Sequence, residues 1–198
     1  DRMIMSSLKP KLISPRPRSF EGYLFFIAFV LTIPLANWFI GNVGTVCLQN
    51  GPCLIPVAPT LMAPSGVLMI GLAFVLRDLV QRRLGAGFSI IAIIAGAALS
   101  AFLAPPALVL ASGFSFFISE LADFLVYTPL QRRRLVLAVF ASGLVGLTID
   151  SVIFLYLAFG NLDFVTGQIV GKSLMIIIAL PAIIWIRQRD EKLGILPA

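Results

Sequence analysis

Charged positions divide the chain into long apolar runs. Two stretches contain no Asp, Glu, Lys or Arg, one from Gly22 to Leu76 and one from Leu84 to Ser119. A membrane-crossing helix needs about 20 mostly apolar residues, so each stretch accommodates roughly two crossings. Glycine, proline and basic clusters cut the chain into six predicted helices. The first covers about Gly22–Ile40 and is closed by Gly41 and Gly44; the second covers about Pro59–Val80 and the third about Gly87–Leu103. Pro105-Pro106 separates the third from the fourth, about Ala107–Tyr127, which Pro129 and the run Gln131-Arg132-Arg133-Arg134 end. The fifth covers about Leu135–Phe159, before Gly160-Asn161, and the sixth about Phe164–Ile186. The expected fold class is all-α and polytopic, with a basic N-terminal segment over 1–21, a six-helix membrane domain over 22–186 and a tail over 187–198. The first run is too long for the apolar core of a secretory signal, so it is expected to be a retained span.

The basic residues orient this arrangement. Fourteen of the fifteen lysines and arginines fall in four places: the N-terminal segment (Arg2, Lys9, Lys11, Arg16, Arg18), the second-to-third connection (Arg77, Arg82, Arg83), the fourth-to-fifth (Arg132, Arg133, Arg134) and the C-terminus (Arg187, Arg189, Lys192). With six crossings all four places lie on one side, and the three opposite loops carry no Lys or Arg. Positive charge is retained inside, so both termini are expected in the cytoplasm of a cell with this protein in its inner membrane.

Composition agrees. The 198 residues are 59% hydrophobic and 12% charged, with a mean hydropathy of +1.02. A soluble domain carries about 25% charged residues, so soluble, disordered and collagen-like classes are excluded. The net charge of +6 sits in loops, which favours anionic lipid headgroups over nucleic acid as its partner. Histidine is absent and there are two cysteines, too few for a thiolate zinc site; neither metal nor cofactor is expected.

The informative residues are the charges inside the runs. Lys172 lies nine residues past Asp163, roughly 13 Å into the sixth helix. Asp150 is at a similar depth in the fifth, so the two are level and able to pair. Glu120 and Asp123 lie three apart on one face of the fourth helix, and Arg77 and Asp78 come late in the second. A charge at mid-membrane costs about 2.5–3.5 kcal/mol on insertion scales. Such groups must pair or line a wet cavity, and both readings stay open: Arg77 and Asp78 as headgroup-level residues, Asp123 as a structural tie, Asp150 and Lys172 as a structural ion pair, or all as parts of a site. There is no Ser/His/Asp set, Cys/His pair or metal cluster. A carboxylate pair such as Glu120/Asp123 supports acid–base work only in principle, so a transporter is favoured over an enzyme.

Weaker signals complete the reading. Gly167-Gln168-Ile-Val-Gly171-Lys172-Ser173 is one residue short of a phosphate-binding loop and offers instead a Gly167-x3-Gly171 face for close helix packing, as does Ser142-x3-Gly146. Cys47 and Cys53 flank a turn signal, Asn50-Gly51-Pro52, and are compatible with a disulfide or with two free thiols. Pro34 and Pro181 are expected to kink their helices. Phe114, Phe116 and Phe117 lie one to two turns before Glu120, and one of them is placed to stack on a planar ligand; Phe117 and Gln168 are counted among the substrate-binding candidates.

Four phrases carry a family resemblance: Leu76-Arg77-Asp78-Leu79-Val80-Gln81-Arg82-Arg83-Leu84-Gly85, Ser119-Glu120-Leu121-Ala122-Asp123, Leu147-Thr148-Ile149-Asp150-Ser151, and Lys172-Ser173-Leu174 followed by Leu180-Pro181. In this order they resemble the queuosine-precursor transporter family, formerly grouped as vitamin uptake transporters, over roughly Gly66 to Pro181. The resemblance implies a six-helix inner-membrane importer of 7-cyano-7-deazaguanine or 7-aminomethyl-7-deazaguanine, precursors of a modified tRNA nucleoside. It also implies a fold like the substrate-binding subunits of energy-coupling-factor transporters. Its site candidates are Asp78, Glu120, Asp123, Asp150 and Lys172, to which this chain's own Arg77 is added. Glu120 is expected to read the guanine-type N–H edge; Asp150 with Lys172 would hold the opposite edge or couple closure to binding, and Asp78 and Asp123 would be gating or structural ties. The family has a small hydroxyl residue where Arg77 stands and Gln where Glu120 stands. One cation and one anion are gained together, so Arg77 and Glu120 are expected to interact, or the pocket reads a modified ligand. The alternative function is a substrate-capture subunit, for a vitamin or nucleobase, that works with a separate ATPase module. Oligomerisation is left open.

Overall fold

The computed structural model describes residues 16–49 and 52–198. Arg2, Lys9 and Lys11 of the basic segment, and Asn50-Gly51 of the cysteine loop, lie outside them. Six helices form: α1 (Arg16–Asn42), α2 (Val67–Leu84), α3 (Ala86–Leu103), α4 (Val109–Leu130), α5 (Leu135–Phe159) and α6 (Val165–Leu193). Three short strands, β1 (Val46–Cys47), β2 (Cys53–Ala58) and β3 (Leu61–Pro64), lie between α1 and α2. Five helices are long and apolar enough to cross a membrane, all but α2.

The all-α expectation needs two corrections here. The strands form an antiparallel sheet of order β1-β2-β3, with Cys47 opposite Cys53 and Leu54 opposite Pro64. Cys47 and Cys53 are joined by a disulfide. The second expected span, Pro59–Val80, was placed too early. Pro59, Pro64 and Gly66 interrupt helix formation, so 61–64 pair as a strand edge and α2 starts only at Val67. Pro56 withholds an N–H from β2 and sits at the register break between Pro56 and Ala58. Elsewhere the expected bounds differ mainly at helix ends. The α4 helix passes Pro129 by one residue, and α6 runs past Ile186 because Asp190 is held by arginines of α2.

The α2 helix is the hub. Twelve of its eighteen residues are buried, and no large exposed hydrophobic residue lies on it, whereas α1, α3, α4, α5 and α6 all display them, among them Ile27, Ile94, Leu125, Tyr156 and Ile178. One face of α2 (Phe74, Val75, Leu79) packs with Tyr127, Leu147 and Ile176 of α4, α5 and α6; the other (Ala73, Val80) packs with Phe29, Ala92 and Phe116 of α1, α3 and α4. The five apolar helices therefore present faces suited to lipid, and α2 faces protein. This explains its low hydropathy: a helix enclosed by other helices can carry charges that a lipid-facing one cannot.

Glycine sets the closest approach. A Cβ on Gly71 of α2 would lie 2.5 Å from the carbonyl oxygen of Lys172 and 2.9 Å from its Cα. The α2–α6 crossing is thus centred on the backbone of Lys172. On the same helix, Gly167 backs onto the carbonyl of Met62 in β3, and Gly171 onto Val57 and Val67, which seats the sheet on the start of α6.

Gly71→Ala should force α2 and α6 apart at Lys172, because backbone cannot retreat as a side-chain tip does. The expected loss is about 1–3 kcal/mol, read by thermal unfolding in detergent. Gly87→Ala, where a Cβ meets nothing within 4 Å, should be neutral or mildly stabilising.

Candidate functional site

Three charged layers are stacked through the bundle. The middle one is built on Arg77, which is fully buried. Its Nε donates to Glu120 Oε2 at 3.0 Å, Nη1 to Gln81 Oε1 at 2.9 Å, and Nη2 lies 2.7 Å from Asp78 Oδ1 and also pairs with Asp123 Oδ1. Helical spacing makes this possible: Arg77 and Gln81 are four apart on α2, and Glu120 and Asp123 three apart on the facing side of α4. Gln81 Nε2 donates to Thr128 Oγ1 at 2.9 Å, and Ser142 Oγ of α5 donates to Asp78 Oδ2 at 3.2 Å. The rings of Phe124 and Tyr127 stand 6.0 and 5.7 Å from the guanidinium carbon, within cation–π range. One guanidinium thus gathers three fully buried carboxylates. Glu120 Oε1 and Asp123 Oδ2 are buried without a hydrogen-bond partner among the described residues.

The layer nearer the sheet joins α5 and α6. Lys172 Nζ donates to Asp150 Oδ2 at 2.6 Å, Gln168 Oε1 at 2.8 Å and Ser151 Oγ at 2.9 Å. An ammonium has three protons, and all three are engaged. This group forms one wall of a cavity of about 320 Å³ to which all six helices contribute, within the size range of small-molecule sites. Asn37 and Ser115 add polar groups, and Phe116 and Phe154 add rings. Asp150 Oδ1 and Gln168 Nε2 have no protein hydrogen bond among the described residues, so each has capacity toward the cavity. The Asn37 amide donates to Ile33 O at 3.0 Å, which leaves its oxygen free to accept.

The third layer closes the opposite end. Asp190 of α6 takes hydrogen bonds from Arg82 Nε (2.9 Å), Arg83 Nη1 (2.9 Å) and Arg83 Nη2 (2.8 Å). Glu21 of α1 accepts from Arg83 Nε at 3.0 Å and from Arg189 Nη2 at 2.6 Å. These bonds join α1, α2 and α6 at the basic end.

The structure brings together two groups from the sequence candidates. Asp150, Gln168 and Lys172 line the cavity. Arg77, Asp78, Glu120 and Asp123 form a separate cluster: Glu120 follows the cavity-lining Phe116 by one turn, and Arg77 follows Ile70 by about two. Glu120, expected to read a ligand edge, is held by Arg77 and is absent from the cavity wall. Phe117 is also off the wall and 37% exposed; its neighbour Phe116 supplies the ring instead. Asn37, Ser115 and Phe154 were missed. Asn37 had a signal, as an amide within an uncharged run, and Gln81 had one in its four-residue spacing from Arg77. Phe154 had none, being one of 16 phenylalanines.

A family model described as "Putative vitamin uptake transporter" matches residues 97–186. The match covers somewhat under half of the chain, from the end of α3 to most of α6, and includes Glu120, Asp123, Asp150, Gln168 and Lys172. It leaves out α1, the sheet and α2. No curated protein and no solved structure matches significantly. The chain is a largely helical membrane protein, similar over these residues to a transporter family.

Arg77→Gln should leave three buried carboxylates without their cation. Breaking a buried pair by removing one partner costs about 3–5 kcal/mol. Adding Glu120→Gln should recover part of this, because it removes one stranded charge; a double variant no better than Arg77→Gln alone, in detergent unfolding, would deny that Glu120 is coupled to Arg77.

Proposed function

We propose that the chain is an inner-membrane importer of a queuosine precursor, 7-cyano-7-deazaguanine or 7-aminomethyl-7-deazaguanine, with substrate held in the cavity beside Lys172. In this reading α2 is a sixth crossing, enclosed by the other five. At 18 residues it spans about 27 Å, close to the apolar thickness of a bilayer. Both termini then lie on the basic, cytoplasmic side, and the architecture is like that of the substrate-binding subunits of energy-coupling-factor transporters. The protein acts as a transporter and not as an enzyme.

The observation that carries the proposal is the pairing, in one cavity, of an anionic oxygen and an amide donor with two aromatic rings. A deazaguanine has two adjacent N–H donors on one edge and a carbonyl acceptor beside them. Asp150 Oδ1 suits the donors, because a carboxylate oxygen only accepts. Gln168 Nε2 suits the carbonyl. Phe116 and Phe154 offer apolar surface to the ring faces. Lys172 positions both polar groups, since its ammonium holds the other oxygen of Asp150 and the amide oxygen of Gln168. Fixing the Gln168 oxygen turns its NH₂ outward. The carboxylate role thus passes from Glu120 to Asp150, and the Arg77 cluster becomes the floor beneath the site.

The test is ligand-dependent thermal stabilisation of the purified protein. Deazaguanines are compared with guanine, biotin and riboflavin. A ligand that binds only the folded state adds about 2.7 kcal/mol at 100 times its dissociation constant. Deazaguanines should stabilise the protein and the others should not. Asp150→Asn, which cannot accept both N–H groups as an anion, should abolish the shift. Stabilisation by biotin or riboflavin alone would overturn the substrate while keeping a vitamin transporter.

A further inference from the structure

The basic end carries a second concavity, separate from the cavity beside Lys172. An open groove of about 790 Å³ lies between the start of α5 and the second half of α6. Its mouth is formed by Arg133, Arg134 and Arg187, and its apolar wall includes Val136, Phe140 and Leu180. We propose that this groove binds an anionic phospholipid, with the phosphate on the three guanidiniums and an acyl chain along the apolar wall.

Several observations point to a phosphate at the mouth. Neighbouring arginines of the same end are already committed, Arg82 and Arg83 to Asp190. Arg133 and Arg134 are exposed and have no carboxylate partner among the described residues. Arg187 pairs only with Glu191, at 2.7 Å, and both are exposed, so solvent screens that bond. Guanidinium groups are suited to phosphate by their planar array of donors. The start of α5 adds to this. Its first turn has no acidic residue and Arg134, at its N-cap, makes no side-chain cap. The unpaired amides of a 25-residue helix therefore present a positive end beside the arginines.

Other observations favour a lipid over a soluble anion. The groove continues from the arginines onto apolar side chains of α5 and α6, both long enough to cross a membrane. Trp185 is exposed on α6, and the Arg189 guanidinium lies 5.1 Å from its ring. Exposed tryptophan beside arginine is the signature of headgroup depth, and Trp185 is two residues from Arg187. Basic pockets between membrane helices on the cytoplasmic side suit anionic headgroups. The inference does not depend on what the protein transports.

The experiment is native mass spectrometry of the detergent-purified chain with phosphatidylglycerol, phosphatidylcholine or glycerol 3-phosphate added at equal concentration. Phosphatidylglycerol should be retained about tenfold or more over phosphatidylcholine, and the Arg133→Gln/Arg134→Gln variant should lose about that factor. Arg132→Gln removes a neighbouring charge that is not on the groove and should leave retention unchanged. All three side chains are exposed, so thermal unfolding without lipid should match the parent protein and report intact folding. Equal retention of the two lipids would overturn the proposal, as would an Arg132→Gln loss as large as that of the double variant. Displacement of phosphatidylglycerol by glycerol 3-phosphate at equal concentration would assign the arginines to a soluble anion and overturn the lipid.

Discussion

The architecture depends on Arg77 being surrounded by protein. A guanidinium stays charged in any protein environment, so it must be solvated by something. Here Asp78, Glu120, Asp123 and Gln81 replace water. That requirement places α2 at the centre, because any exposed position would put the arginine against lipid. It also fixes α4, whose two carboxylates must face α2, and α5, whose Ser142 completes Asp78. The apolar contacts that bury α2 on both faces follow from this placement. Buried ion clusters are poor sources of net stability and better sources of specificity. A slip of α4 by one residue would turn Glu120 and Asp123 away from Arg77 by about 100°, so the cluster selects one register among many apolar packings.

The same constraint shapes the cavity. Gly71 allows α2 to touch α6 at the backbone of Lys172. Seven residues separate Ile70, on the cavity wall, from Arg77. The cavity is therefore bounded on the side away from the sheet by the Arg77 cluster, and beyond that by the arginines on Asp190. Two ionic layers therefore lie between the cavity and the basic end. The other end is bordered by the sheet instead, where Pro64 reaches the cavity and the contacts of Gly167 and Gly171 are backbone and apolar. The two ends thus differ in kind.

Much of this was legible in the residues. Apolar runs punctuated by glycine and proline located the helices, and α5 matches its expected bounds. Depth arithmetic placed Lys172 level with Asp150, and their 2.6 Å bond agrees. A contact between Arg77 and Glu120 was one of two expectations raised by the resemblance, and it is found at 3.0 Å. The sheet was not legible, because Cys53–Ala58 is short and apolar, and such runs read equally as helix or strand. Nor was the division of the charges into two groups. Spacing along one helix shows which residues share a face, but which face meets the cavity depends on crossing points, and here that was decided by the absence of a side chain at Gly71.

Two of the buried cations, Arg77 and Lys172, are held differently, and their chemistry explains why. Arg77 presents a fixed planar fork; every polar neighbour it has is a protein group, and it lies off the cavity wall. A ligand could reach it only by dismantling the cluster. Lys172 presents a compact ammonium on a flexible stem, and its three partners leave one oxygen of Asp150 and the amide nitrogen of Gln168 directed to other uses. Arginine therefore stands where four protein groups converge, and lysine where three partners suffice. Exchanging them would be unequal in effect. A lysine at position 77 has three donors for four partners and would strand a carboxylate. An arginine at position 172 would project further and displace Gln168 or occupy the cavity itself. The position of each cation follows from how many partners it must satisfy and how much room the crossing at Gly71 leaves for it.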